Sequence, residues 1–189
     1  MKVRRFSRSS TPAYRGASKV PVAVVISNNS GSVALRRAAA AAIDTFHFSS
    51  LTHPGSDSLD AAICDALRRA RADVIFLAGY MKRLGPRTLA AFPSRILNTH
   101  PALLPKFGGR GLFGDRVFEA VLAAGESESG AAVHLVDAEY DTGAVVRQER
   151  VRVLPGDTVE SLKSRVQACE RDVVVKTLAA MASGELPFG

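Results

Sequence analysis

The sequence predicts an α/β fold: one domain built on a mostly parallel, twisted sheet with helices on both faces. Two runs rich in β-branched and apolar residues, VPVAVVIS at residues 20–27 and DVIFLA at residues 73–78, are typical of strands buried on both faces. Segments with apolar residues at helical spacing separate such runs through the first two-thirds of the chain. This alternation of strand and helix favours a parallel sheet that helices cover.

In the first half of the chain, turn and capping residues separate the predicted elements. The run NNSGS at residues 28–32 contains turn formers and helix N-cap candidates. Pro86 is suited to the first turn of a helix, because the N–H it lacks would be unpaired there. The predicted elements are strands at 20–27, 45–49 and 73–78 and helices at 33–43, 58–72 and 86–92.

The second half of the chain continues with shorter helices, alternating strands and one long C-terminal helix. Pro155 and Gly156 end an alternating, edge-type strand. Asp157, Thr158 and Glu160 then offer a capping box for the C-terminal helix. The predicted elements are strands at 95–97, 131–136 and 144–153, a helix at 115–125 and a long helix after residue 158.

The segment RILNTHPALLP, residues 95–105, is the first candidate for chemistry. Residues i and i+2 of a strand point the same way, so Asn98 and His100 share one face, and Pro101 ends the ladder. Open α/β sheets place their chemistry at the carboxyl ends of the strands. An amide beside an imidazole can hold a carbonyl oxygen while a proton moves. The alternative is a structural histidine at a strand end with asparagine as a turn former.

A second polar cluster follows, with His134 inside the strand AAVHLV and Asp141 in the turn DAEYDTG. If the strands carrying Asn98 and His134 are neighbours, the turn places Asp141 beside His100, where it would orient the imidazole. Asn98, His100 and Asp141 would then form a set suited to attack on a carbonyl group. Alternatively, Asp141 is an ordinary acid in a turn. His134 is then a core histidine, or one that contacts the catalytic side chains without contacting the substrate.

The charge distribution and the length of the apolar runs exclude two classes, nucleic-acid-binding proteins and proteins that cross a membrane. The net charge is +7, but residues 1–20 hold six of the 25 basic residues and no acid, so the rest of the chain is close to neutral. We therefore predict a basic, disordered tail over 1–20 and a folded domain over 21–189, and no binding of nucleic acid. A transit peptide is the alternative for the tail. No apolar run reaches the roughly 20 residues that cross a membrane.

Two further patterns concern metals and phosphate. Cys64 and Cys169 have no CxxC spacing, which favours reduced thiols in a cytoplasmic protein and no metal site. The loop GGRG at residues 108–111 lacks the order of a phosphate-binding loop, so a flexible lid is the better interpretation.

The motifs NTHPALLPK and, about forty residues later, DAEYDTGAVV resemble those of the folate-dependent formyltransferases. The resemblance extends from about residue 22 to residue 187 and includes VAVVISNNS, ADVIFLAGYMKRL and LPGDTVESLKSRVQACE. It implies a Rossmann-like formyltransferase fold. It also implies direct transfer of a formyl group from 10-formyltetrahydrofolate to an amine, most similar to the step on glycinamide ribonucleotide in de novo purine biosynthesis. A sugar amine as acceptor, or a folate-binding remnant without activity, are the alternatives.

The resemblance also implies roles for individual residues. Asn98 would bind the formyl oxygen, His100 would stabilise the tetrahedral intermediate or carry a proton, and Asp141 would orient His100 and help move the proton. Glu170 and Pro101 would bind the nucleotide, through the ribose hydroxyls in the case of Glu170. No metal, nucleic acid or membrane is implied, and the protein would be a monomer or homodimer. The implied folate pocket comprises Met81, Lys82, Arg83, Leu84, Asp137, Tyr140 and Gly143.

The sequence departs from the family pattern at its N-terminus. Family members begin with a strand and a loop that grips the substrate phosphate, whereas VAVVISNNS aligns with their second strand. Residues 1–20 contain no apolar strand and no such loop. We therefore expect the first strand and the phosphate loop to be missing from this chain.

Overall fold

The computed structural model describes residues 20–186. The predicted tail and the expected loss of the first strand concern residues that lie, apart from Val20, outside that range, and both stay predictions. The α/β class is confirmed. Within 20–186 the elements are β1 (Val24–Ser27), α1 (Val33–Ala40), β2 (Asp44–His47), α2 (Ser56–Arg69), β3 (Ile75–Leu77), α3 (Pro86–Ala91), β4 (Ile96–His100), α4 (Asp115–Ala123), β5 (Glu128–Leu135), β6 (Val145–Arg152) and α5 (Val159–Ser183).

The first of two compact units ends at Arg71. In its described part, β1 and β2 form a two-stranded parallel sheet, with Val24 opposite Asp44. The Ser32 hydroxyl accepts a hydrogen bond from the Ala34 N–H and so caps α1, as the turn residues predicted. β2 ends two residues earlier than predicted, because Ser49 and Thr52 form a turn, with Ser49 N donating to Thr52 Oγ1 at 2.9 Å.

The second unit begins at Ala72 and contains a four-stranded sheet in the order β3-β4-β5-β6. β3 and β4 are parallel, whereas β5 runs antiparallel to both β4 and β6, so this sheet is mixed. Asn98 of β4 lies directly opposite His134 of β5. The condition set for the candidate site, that these two strands are neighbours, is therefore met.

The core of the second unit forms where α4 and α5 pack against the sheet. β5 is buried from Ser129 to His134, and α5 contacts both β5 and β6. Because both faces of β5 are closely packed, the position of His134 on this strand is fixed. The buried cluster consists of Leu97, Phe118, Val121, Ala131, Val133, Leu162, Val166, Val173 and Met181.

The start of α5 differs from the predicted capping box. Thr158 is the N-cap: its hydroxyl accepts from the Ser161 N–H at 3.3 Å, and the Ser161 hydroxyl accepts from the Thr158 N–H at 2.9 Å. Asp157 instead accepts two hydrogen bonds from the Arg165 guanidinium, which hold the pKa of Asp157 well below its usual range. Glu160 is an acid in the first turn rather than the capping partner.

The turn between β5 and β6 requires a glycine. A Cβ atom at Gly143 would overlap the backbone carbonyl of Leu135. The Leu135 N–H donates to the Ala144 carbonyl at 2.9 Å, which closes this turn around Asp141. Over residues 20–186, none of the helices combines the length and apolar character needed to cross a membrane.

Candidate active site

The site is built on the carboxyl end of β4 and the strand beside it. Asn98 and His100 are two residues apart on β4 and therefore point to the same side. Asn98 is half-buried, and His100 is only 4% exposed. Pro101, also half-buried, follows directly. The structure thus places the predicted amide and imidazole together.

His134 connects Asn98 to the rest of the site. Its Nδ1 lies 2.9 Å from the Leu135 carbonyl oxygen, and its Nε2 lies 3.2 Å from Asn98 Nδ2. A carbonyl oxygen only accepts, so Nδ1 carries the hydrogen of a neutral His134 ring. Nε2 faces both the Asn98 amide and, at 3.3 Å, Asp141 Oδ1.

His100 is held by the backbone of the loop that follows β4. Its Nε2 donates to the Phe107 carbonyl oxygen at 2.7 Å, which leaves Nδ1 without a hydrogen in the neutral ring. This Nδ1 lies 3.5 Å from Asp141 Oδ2. Burial lowers the pKa of His100, and the opposing effects of Asp141, the Phe107 carbonyl and Glu170 do not outweigh it. His100 is therefore neutral at neutral pH. Its Nδ1 can accept a proton and lies beside the Asp141 carboxylate.

Asp141 lies where both imidazoles and the loop meet. Its Oδ2 accepts from the Gly109 N–H at 3.0 Å, and its Oδ1 lies 3.3 Å from His134 Nε2. Burial raises the pKa of Asp141, but the contacts with His134, Gly109 and His100 outweigh burial and hold it below the usual value. Asp141 is therefore ionised. Its φ of +56° is a conformation that aspartate tolerates better than most residues.

The glycine-rich loop, interpreted from sequence as a flexible lid, is hydrogen-bonded to both acid–base groups. Phe107 has a φ of +57°, a genuine outlier for a bulky side chain, and its carbonyl faces His100. A Cβ atom at Gly108 would lie 2.5 Å from Leu104 Cδ2 and 3.3 Å from Asp141 Cβ. The sequence analysis missed these two backbone contacts, because no residue type indicates where a backbone carbonyl or N–H group will point.

A cleft of about 50 Å³ opens beside this cluster. Asn98, His134 and Asp141 line it, together with five of the seven residues expected to bind folate. Met81 and Gly143 do not line it, and Met81 is 56% exposed. The five residues are Lys82, Arg83, Leu84, Asp137 and Tyr140.

Arg83 joins the two loops on either side of the cleft. Its guanidinium donates to the Ala138 carbonyl and to Glu139 Oε1, and it lies 5.8 Å from the centre of the Tyr140 ring. The two loops that the resemblance assigned to folate are thus in contact.

Glu170 lies on α5 and is half-buried. Its charge raises the pKa of His100, so the two side chains are within electrostatic range of each other. Spacing alone would make Glu170 an ordinary helix acid. Among residues 20–186 there is no group of three or more histidine, cysteine, aspartate or glutamate side chains placed to hold a metal ion.

Comparison with known proteins gives one consistent family. A family model described as formyl transferase matches residues 4–178. The chain is 43% identical over 134 residues to a chloroplastic phosphoribosylglycinamide formyltransferase of Arabidopsis thaliana, which covers 70% of this chain and 46% of that protein. It is 42% identical over 146 residues to a phosphoribosylglycinamide formyltransferase of Mycobacterium tuberculosis, covering 77% of this chain and 66% of the relative. The chain thus spans less than two thirds of each of these two relatives.

A solved structure has the same fold over most of the chain. Glycinamide ribonucleotide transformylase 1 from Symbiobacterium toebii superimposes with a TM-score of 0.80 at 38% sequence identity. The match covers 89% of this chain and 77% of that one.

Proposed function

The chain belongs to the formyl transferase family, and on that premise we propose that it transfers the formyl group of 10-formyltetrahydrofolate to the amine of glycinamide ribonucleotide, a step of de novo purine biosynthesis. The observation that carries the proposal is the cluster of Asn98, His100, His134 and Asp141 beside the cleft. It joins an amide donor, a neutral imidazole and an ionised carboxylate, the groups that acyl transfer to an amine requires.

The reaction needs one bond to form, one to break and one proton to move. The amine nitrogen attacks the formyl carbon, and the bond from that carbon to N10 of the folate then breaks. The amine loses a proton and N10 gains one, so the step balances without another reactant. No covalent enzyme intermediate and no metal enter this scheme.

The geometry supports a role for each of the three groups. The Asn98 Nδ2–H stabilises the oxyanion that develops on the formyl oxygen. His100 accepts the amine proton at Nδ1, because Phe107 engages its Nε2–H. The Asp141 carboxylate, 3.5 Å away, stabilises the imidazolium that results, and the proton then passes to N10.

The substrates are assigned to the two sides of this cluster. The folate occupies the cleft lined by Lys82, Arg83, Leu84, Asp137 and Tyr140. Met81 and Gly143 complete the folate pocket in this proposal. The nucleotide lies towards Pro101 and Glu170, and the Glu170 carboxylate accepts hydrogen bonds from the ribose hydroxyls. We place the enzyme in the cytoplasm as a monomer or homodimer.

The test is a formyl-transfer assay of the 189-residue chain with 10-formyltetrahydrofolate, with and without glycinamide ribonucleotide. Deformylated folate should form only when the nucleotide is present, together with the formylated nucleotide. Folate release without the nucleotide would indicate hydrolysis instead. Turnover with a sugar amine alone would indicate another acceptor, and folate binding without turnover would indicate an inactive remnant.

A further inference from the structure

The segment of residues 107–109 makes a backbone hydrogen bond to each of the two acid–base side chains. The Phe107 carbonyl oxygen lies 2.7 Å from His100 Nε2, and the Gly109 N–H donates to Asp141 Oδ2 at 3.0 Å. We propose that Phe107 is a positioning residue: its ring, packed against the hydrophobic core, holds this segment so that both bonds form together. This inference rests on the proposed formyl transfer and adds a residue to that site.

The ring of Phe107 ties the segment to the core. It is half-buried and packs against the buried cluster of the second unit. Among residues 106–110 it is the only large apolar side chain, because Lys106 and Arg110 are exposed and charged and the other two residues are glycines. Phe107 is therefore the apolar anchor of this segment.

The anchored residue has an unfavourable backbone conformation. Its φ of +57° lies in the left-handed region, which is disfavoured for every residue type that carries a large side chain. Such a conformation persists only where the surrounding structure holds it. A change in the sign of φ would turn the backbone relative to the ring, so the carbonyl could not keep facing His100 while the ring stays against the core.

Gly108 allows the segment to pass close to Asp141. A Cβ atom at Gly108 would lie 3.3 Å from Asp141 Cβ and 2.5 Å from Leu104 Cδ2. Because Gly108 has no side chain, the next N–H, that of Gly109, reaches the Asp141 carboxylate. The position of Phe107 thus sets both hydrogen bonds.

The two bonds matter for proton transfer because they decide which atoms face each other. A carbonyl oxygen only accepts, so the contact at 2.7 Å requires a hydrogen on His100 Nε2. The 3.5 Å from His100 Nδ1 to Asp141 Oδ2 is longer than a typical hydrogen bond, so the closer contact sets the tautomer. An imidazole held in this way keeps Nδ1 ready for the amine proton at all times.

Phe107 does not line the folate cleft. It acts through His100 and Asp141 without contacting the folate there. Loosening the segment should therefore lower kcat more than it changes KM.

Three substitutions at this position separate the ring from the backbone conformation. Phe107→Ala removes the ring and leaves positive φ unfavourable, whereas Phe107→Gly removes the ring and makes positive φ acceptable. Phe107→Leu restores an apolar anchor. We expect kcat to fall at least about 10-fold in F107A, F107G to keep at least about 5 times the kcat of F107A, and F107L to stay within about 3-fold of wild type. KM for both substrates should stay within about 3-fold in all three.

The matched control is Phe76 on β3, which is also half-buried and packs against the same cluster. In a strand, glycine is less favourable than alanine, so F76G should have a lower Tm and no higher kcat than F76A. The order at position 107 should be the reverse. An F107G kcat at or below that of F107A would mean that Phe107 contributes packing alone, and would overturn the proposal. An F107A kcat within about 3-fold of wild type would overturn it as well.

Nitrogen NMR of histidine-labelled protein gives a readout that does not need activity, with His100→Phe identifying the His100 signals. At neutral pH, His100 should carry its hydrogen on Nε2 in wild type and F107L. In F107A the hydrogen should move at least in part to Nδ1, because the Asp141 carboxylate accepts from that side once the carbonyl has turned away.

Two NMR results would overturn the proposal even in an active enzyme: a hydrogen on His100 Nδ1 in wild type, or an unchanged Nε2 tautomer in F107A. The expected signals in a protein without formyl transfer would support the positioning by Phe107 and refute the proposed function alone.

Discussion

Replacing Asp141 by asparagine tests the proton transfer most directly, because it keeps the shape of the side chain and removes its charge. The remaining amide oxygen can still accept from the Gly109 N–H, so the loop has no reason to open. What is lost is the carboxylate 3.5 Å from His100 Nδ1, where the amine proton arrives.

The distance sets the expected size of the effect. Two unit charges 3.5 Å apart attract by about 5 kcal/mol at an effective dielectric constant of ~20. At 1.36 kcal/mol for each factor of ten, this corresponds to a loss of roughly 5 × 10³-fold in kcat. The figure lies inside the usual range of about 10²–10⁴ for a positioned acid–base group.

The assay measures the initial rate of folate deformylation at saturating glycinamide ribonucleotide, with KM determined for each substrate. Thermal unfolding of D141N and wild type establishes that the variant is folded. Asp115→Asn is the matched control, since it removes an exposed carboxylate paired with Lys163 at 2.6 Å. A D141N enzyme within about 3-fold of the wild-type kcat would refute the role of the carboxylate.

Four further predictions follow from the same geometry. Glu170→Ala should raise KM for the nucleotide at least about 10-fold while kcat stays close to wild type, as expected for loss of hydrogen bonds to ribose; an unchanged KM would refute the assignment. Gly143→Ala should lower the free energy of unfolding in urea by about 1–3 kcal/mol, because its Cβ would overlap the Leu135 carbonyl, and equal stability would contradict the tight turn. Because burial lowers the pKa of His100, the unfolded chain binds its proton more readily, so stability should fall as the pH drops below about 6.5; denaturation curves at pH 7.5 and 5.5 should differ less in His100→Phe than in wild type. EDTA should leave the formyl-transfer rate unchanged, and inhibition that added metal reverses would contradict the scheme.

The elements that local pattern determines were found from sequence with small errors at their ends. The β-branched run DVIFLA predicted β3, and the spacing of apolar residues predicted α2 to within a few residues. The capping box of α5 was placed wrongly. Asp157 accepts hydrogen bonds from Arg165, and Thr158 and Ser161 form the cap instead. That choice depends on a side chain two turns away, which a four-residue motif does not include.

The sequence by itself determined that Asn98 and His100 share a face, since alternation along a strand needs no tertiary information. It also indicated Asp141 as their partner, on the condition that two strands are neighbours. Only the tertiary structure decided that condition, through the pairing of Asn98 with His134 across 36 residues of chain. It alone revealed the Phe107 carbonyl and the Gly109 N–H, because every residue except proline carries the same backbone groups and only the folded loop aims these two at the site.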